Sequence, residues 1–178
     1  MDTEQVRVLA ALGAVRCQGW VGRRDRVLLV LSGLAGLSYR DIAVLTVGDV
    51  VVTGGAATVP GPVGPITLAA TQDARVCSPC VLARWLHLLD LAVIHSDGCV
   101  VTAMIARTAA LVADTPHVCR GAHPLTALHP RSPLLPVVDR WGVVGATGEH
   151  APAGLGIDER ARRLERRARH LLPMVPAP

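Results

Sequence analysis

The 178-residue chain contains no lysine, no asparagine and no phenylalanine. All 18 of its basic side chains are therefore arginines, and any chemistry that needs a lysine amine is excluded. Aromatic residues make up only 2%, three Trp and one Tyr, so the core has to be assembled from Ala, Val and Leu. Each of these buries less area than an aromatic ring, which implies a fine-grained core of modest stability. Long hydrophobic runs are missing as well. The longest, Val27 to Leu37, is 11 residues and includes Ser32 and two glycines. That is too short to span a bilayer and reads as a core helix, so no membrane association is expected.

A basic leader is also lacking. Met1-Asp2-Thr3-Glu4 begins acidic, the reverse of a secretory signal. Five cysteines, an odd number, then suggest free thiols in a reducing cytoplasm. What is present is an apolar fraction of 51% against 18% charged residues, which excludes disorder as the default. The length suits a single domain over residues 1–172, with 113–131 as a proline-rich insertion or loop and 173–178 as a disordered tail. A net charge of +4 permits nucleic-acid binding without demanding it.

Periodicity predicts a mainly α fold with a small antiparallel β-meander. Val6, Leu9, Leu12 and Val15 mark a first helix from Thr3 to Gln18, which Gly19 to Gly22 should break. A second helix is expected from Asp25 to Leu37 and a short one from Tyr39 to Leu45. The period then becomes extended through Val50–Val52, Ala57–Val59 and Ile66–Leu68, with Gly and Pro at the turns. Further helices are expected from Pro79 to Ile94, from Cys99 to Val112 and from Ile157 to Leu172, and a short strand from Leu134 to Val138.

Cys77-Ser-Pro-Cys80 has the spacing of a metal or redox pair. Zinc needs four ligands, and Cys17, Cys99, Cys119 and the seven scattered histidines form no second closely spaced pair. The expectation is two ordinary cysteines at a helix start, with no metal and no other cofactor. His117-Val-Cys-Arg120, with His123 and His129 nearby, falls in the proline-rich stretch and reads as surface loop. In the last helix, Arg160, Arg163 and Arg167 recur at helical spacing and could lie along phosphates, although Asp158, Glu159 and Glu165 interleave. Arg23, Arg24, Arg26 and Arg40 are further candidates for DNA contact. No G-x-S-x-G, Walker loop, G-x-G-x-x-G or H-E-x-x-H occurs.

The segment around Gly36 resembles parts of two families. Gly36-Leu-Ser-Tyr-Arg-Asp-Ile-Ala43 is similar to the opening of the helix-turn-helix in sigma-factor region 4, which would require a second, DNA-reading helix immediately afterwards. A longer resemblance is to the tyrosine recombinase (phage integrase) catalytic domain. Arg24-Asp25-Arg26-Val27-Leu28-Leu29, then Gly36 to Leu45, then Asp49-Val50, is similar to that family's first conserved block. The meander follows in the same place. Cys77-Ser-Pro-Cys-Val-Leu-Ala-Arg-Trp85-Leu86 resembles its next helix start, and Ser132 to Gly142 its "P-L-F-x-x-V-D-R-x-G" segment. Ile157 to Arg169 is similar to the helix ahead of the second catalytic block, so the four pieces cover most of residues 3–170 in order.

The resemblance implies DNA recombination and integration by a bacterial protein that cleaves DNA with a tyrosine, aided by two arginines and a lysine. Here Ser38 occupies the first arginine position, no lysine exists, and the expected nucleophile block is missing. His117 and Arg120 form an H-x-x-R, but ahead of the Ser132 to Gly142 segment rather than after it. The implied protein is a truncated, catalytically inactive recombinase-like domain with weak affinity for duplex DNA, able to associate with a full-length recombinase or with itself. The alternatives are a small sigma-like regulator, or an interaction module with no nucleic-acid role.

Overall fold

A computed structural model describes residues 8–9, 11–12, 19–95, 97–106, 116–121, 125–136 and 157–171. Of the expected first helix, residues 8–9 and 11–12 are helical, and the rest lies outside the described residues, as do 107–115 and the 173–178 tail. The elements in order are α1 (Gly19–Leu29), running into a π-helical turn at Val30–Leu34, and α2 (Tyr39–Val44). A 3-10 turn at Val47–Asp49 leads to β1 (Val51–Thr53), β2 (Ala56–Gly61) and β3 (Gly64–Ala69). Then come α3 (Ser78–Ile94), α4 (Gly98–Ala106), a 3-10 turn at Val118–Arg120, and α5 (Ile157–Leu171). The protein is mainly helical with a small three-stranded antiparallel sheet.

The sheet has the order β1-β2-β3. Gly54 and Gly55 join the first two strands with φ of 56° and 83°, a turn open only to residues that tolerate positive φ at both positions. Ala57, Val59 and Leu68 are buried, while most alternate positions face water. The meander stands where a sigma-like unit would need its second helix, so α2 opens no helix-turn-helix.

Three expectations need correction. The second helix starts at Gly19 rather than Asp25: Gly19 itself has a left-handed φ of 77°, and Trp20 behind it is buried edge-on against Trp85 of α3, with ring centroids 6.0 Å apart and planes at 89°. The second helix does not run regularly to Leu37. Ser32 Oγ donates to the Leu28 carbonyl at 2.7 Å, and the ladder widens to a five-residue step at Ala35 N to Val30 O. A Cβ on Gly33 would lie 2.5 Å from Val8 Cγ2, so glycine lets the first helix approach this turn. Finally, residues 134–136 form no strand. Thr46 and Pro133 make one isolated bridge, and Leu134 N donates to Leu45 O at 2.8 Å.

Polar groups inside the fold act as ties. Buried Asp25 accepts from Arg167 Nε of α5 at 3.0 Å. Buried Arg26 donates to the carbonyls of Leu12 and Arg75, joining the first helix to the segment before α3. Asp90, also buried, accepts from the backbone N–H groups of Thr126, Ala127 and Leu128. Burial raises the Asp90 carboxyl, but the bonds from Ala127, Leu128 and Thr126 outweigh it and hold the group below its ordinary value. The stability it contributes is present above about pH 4, the unfolded carboxylate range, and is lost as pH falls through the lower folded value. Asp90→Ala is expected to cost about 2 kcal/mol at neutral pH and less in acid, checked by denaturant melts across pH.

Candidate functional site

Two places gather chemistry-bearing side chains: an arginine face formed by α2 and α5, and a cysteine–histidine cluster at the start of α3.

The inner stripe of α5 is Leu164, Ala168 and Leu171, which pack on the core. Arg162, Arg163, Arg166 and Arg169 are thereby turned outward and are exposed. Arg40 of α2 stands across a shallow depression of about 490 Å³, lined also by Tyr39, Asp158, Ala161, Arg162 and Glu165. The acidic residues of α5 lie among these arginines. Glu159 Oε1 accepts from Arg163 Nε at 3.1 Å and Arg166 Nη2 at 3.4 Å, and Glu165 Oε1 accepts from Arg169. The bond from Arg163 chiefly holds the Glu159 carboxyl below its usual range. Such exposed pairs are worth little and exchange readily for other anions.

The sequence-derived arginine candidates divide accordingly. Arg40 and Arg163 are on this face, with Arg40 3.8 Å from Asp158. Arg160 is half-buried. Arg167 is not a surface contact residue, since it reaches inward to Asp25. Arg26 is buried and serves the fold, and Arg23 and Arg24 are half-buried on α1. Helical spacing picks out 160, 163 and 167, whereas the exposed arginines are 162, 163, 166 and 169. A spacing rule finds a helical face but not which side of the helix the core occupies.

Ser38 is the N-cap of α2: its Oγ accepts from Asp41 N at 3.2 Å and donates to Asp41 Oδ2 at 2.6 Å. It stands where the resemblance places an arginine, and its hydroxyl is committed to the helix start. Tyr39 is half-buried, and burial, followed by the charge of Glu165, raises its phenol. Neither change suits a nucleophile.

The second place was not expected as a cluster. Cys77 is the N-cap of α3 and Cys80 lies in its first turn. His117 and Cys119 arrive on the Val118–Arg120 turn, 37 to 42 residues later, and one ligand-type atom from each of the four lies within 4.8 Å of the others. Cys77 Sγ is 3.8 Å from Cys119 Sγ, and Cys80 Sγ is 3.4 Å from Cys119 Sγ and 3.5 Å from His117 Nδ1. Cys77, Cys80 and Cys119 are all fully buried, in a cluster of their own against which, among the described residues, the partly buried Val52, Ala70 and Val118 pack. Hydrogen bonding to Cys80, then burial, push the Cys77 thiol up to about 12. The same bond lowers Cys80, and burial raises Cys119. The four side chains could hold one ion. The ground for reading Cys77 and Cys80 as ordinary cysteines, the lack of further ligands, is thus removed: the second pair is His117-x-Cys119. Cys99 is exposed and stands apart.

Among the described residues no helix is long and apolar enough to cross a membrane. No family model, curated protein or solved structure matches the chain.

Proposed function

We propose that this chain is a non-cleaving, duplex-DNA-binding domain of the tyrosine-recombinase type. The observation that carries the reading is the outward row of Arg162, Arg163, Arg166 and Arg169 on one helix, with Arg40 beside it. A guanidinium row at intervals of three to four residues can follow a phosphate backbone, and the interleaved acids limit the affinity. The order α1, α2, meander, α3 is the order that the resemblance implies, and this supports the family assignment. Phosphate contacts of this kind position a protein on DNA without reading bases, so little sequence preference is expected.

Cleavage is not part of the proposal. Ser38 supplies a helix cap in place of a phosphate-binding guanidinium, and Tyr39, half-buried with a raised phenol, is poorly placed to attack. Strand exchange would need a full-length recombinase to contribute the catalytic groups, and association with one belongs to the same proposal. The test is a nicked suicide substrate resolved on a denaturing gel. No covalent protein–DNA adduct should form, and an adduct abolished by Tyr39→Phe would overturn the reading.

A further inference from the structure

We propose that Cys77, Cys80, His117 and Cys119 form a structural zinc site that fastens the 116–121 segment to the start of α3 and to the β-meander. This inference is independent of DNA binding.

The separations between the four side chains suit one tetrahedral ion. Around zinc with Zn–S near 2.3 Å and Zn–N near 2.0–2.1 Å, ligand sulfurs lie about 3.8 Å apart and sulfur to nitrogen about 3.5 Å. Three of the six separations are 3.8 Å (Cys77 to Cys119), 3.4 Å (Cys80 to Cys119) and 3.5 Å (Cys80 Sγ to His117 Nδ1), and all six lie within 4.8 Å. A disulfide requires about 2.05 Å and would leave the third thiol and the imidazole unexplained.

The histidine is oriented as a ligand. His117 Nε2 lies 3.0 Å from the Gln72 carbonyl oxygen, which can only accept, so Nε2 carries the proton and donates. In the neutral ring Nδ1 then holds a lone pair, aimed at the thiol cluster. A ligating imidazole whose other nitrogen is fixed by a carbonyl is the usual arrangement in metal sites.

Binding a metal requires negative charge on the sulfurs. Without a metal, the bond to Cys80 and burial raise the Cys77 thiol and burial raises Cys119, so a cation has to stabilise the thiolates. Cys77 and Cys80 also occupy the N-terminal turn of a 17-residue helix, where the dipole favours thiolate. Three thiolates buried together without a cation would repel one another, whereas a divalent ion neutralises most of that charge. Three sulfurs and one nitrogen in a tetrahedral set select zinc over harder ions. Four protein ligands with the cysteines fully buried leave no open position for water, so the role is structural rather than catalytic.

The consequence for the fold is specific. Cys119 O accepts from Gly55 N at 3.1 Å, so the ion would tie the β1–β2 turn to α3 through the 3-10 turn. Arg84 adds only long bonds, to Ala74 O at 3.3 Å and Pro116 O at 3.5 Å. Three segments remote in sequence thus meet where few apolar side chains are available to hold them.

The test is elemental analysis of the full chain purified under reducing conditions without chelator, together with cobalt substitution. About one zinc per chain is expected. The cobalt form should show the intense visible absorption and near-ultraviolet charge transfer of a tetrahedral thiolate site. Cys80→Ser and His117→Ala should lose the metal, Cys99→Ser should retain it, and His117→Cys should retain it with a shifted cobalt spectrum, which guards against simple misfolding of the alanine variant. Chelation should lower Tm, and one equivalent of zinc should restore it. A reduced, folded protein that takes up neither zinc nor cobalt would overturn the proposal. So would metal lost equally from Cys99→Ser, or a Cys119 disulfide in protein kept reduced during purification.

Discussion

Trp85→Ala is expected to lower stability by about 3–5 kcal/mol and Tm by about 10 °C or more. The side chain is 1% exposed and sits where α1, α3 and the 134–136 segment meet. Its ring meets Trp20 edge-on, and its Nε1 donates to the Leu134 carbonyl at 2.7 Å. Alanine therefore removes the largest fully buried side chain among the described residues, the aromatic contact and a buried hydrogen bond together. In a domain worth about 5–15 kcal/mol in total, that loss is a large share of the stability. Trp85→Phe separates the terms: most of the packing remains, the Leu134 carbonyl loses its donor, and the cost should be nearer 1–2 kcal/mol. Equal costs for the two variants in chemical denaturation would contradict this division.

Breaking the Asp25–Arg167 tie is expected to be strongly asymmetric. Asp25 is 2% exposed, whereas the Arg167 side chain is 36% exposed. Arg167→Leu strands a carboxylate in the interior and should cost about 3–5 kcal/mol. Asp25→Asn leaves a guanidinium that can turn into water and should cost about 1 kcal/mol. The double variant should be more stable than Arg167→Leu alone, because the stranded charge is then gone, and a double-mutant cycle measures the difference. Equal single-variant costs would show that the pair is solvated like a surface bridge. The same geometry explains why Arg167 does not belong with the outward-facing arginines, even though it shares their helix.

Local pattern made most of the fold legible. The change of period after Asp49, with Gly54-Gly55 between valine-rich runs, announced the meander, and Pro79 to Ile94 announced α3 within a residue. The early start of α1 was hidden because a tertiary contact decides it: the Trp20–Trp85 packing keeps a glycine-rich stretch helical from Gly19 instead of Asp25. The π-helical turn was equally invisible, since it depends on Val8 lying against Gly33. The arginine face was half legible, because periodicity defines faces while the positions of Ala168 and Leu171 decide which one is wet. The cysteine–histidine cluster was the least legible. Both halves were visible, Cys77-Ser-Pro-Cys80 and His117-Val-Cys119, but the second is a histidine–cysteine pair in a proline-rich stretch about 40 residues away. Nothing local says that the β1–β2 turn and α3 bring the halves together. Treating H-x-C as an admissible partner for C-x-x-C would have found the set.

The most direct test of the proposed function is the salt dependence of duplex-DNA binding, compared between the wild-type chain and an Arg162→Gln, Arg166→Gln, Arg169→Gln triple variant. Removing one arginine–phosphate interaction should make the slope of log affinity against log salt shallower by about 0.9, or roughly 2–3 for the set. These side chains are exposed, so the variant should melt like the wild type. Measurable binding at about 50 mM salt is predicted, with a steep decline towards 200 mM and a shallower decline for the variant on any duplex sequence. Identical slopes for the two proteins, or no binding at about 50 mM salt, would contradict a DNA-binding role for this arginine face.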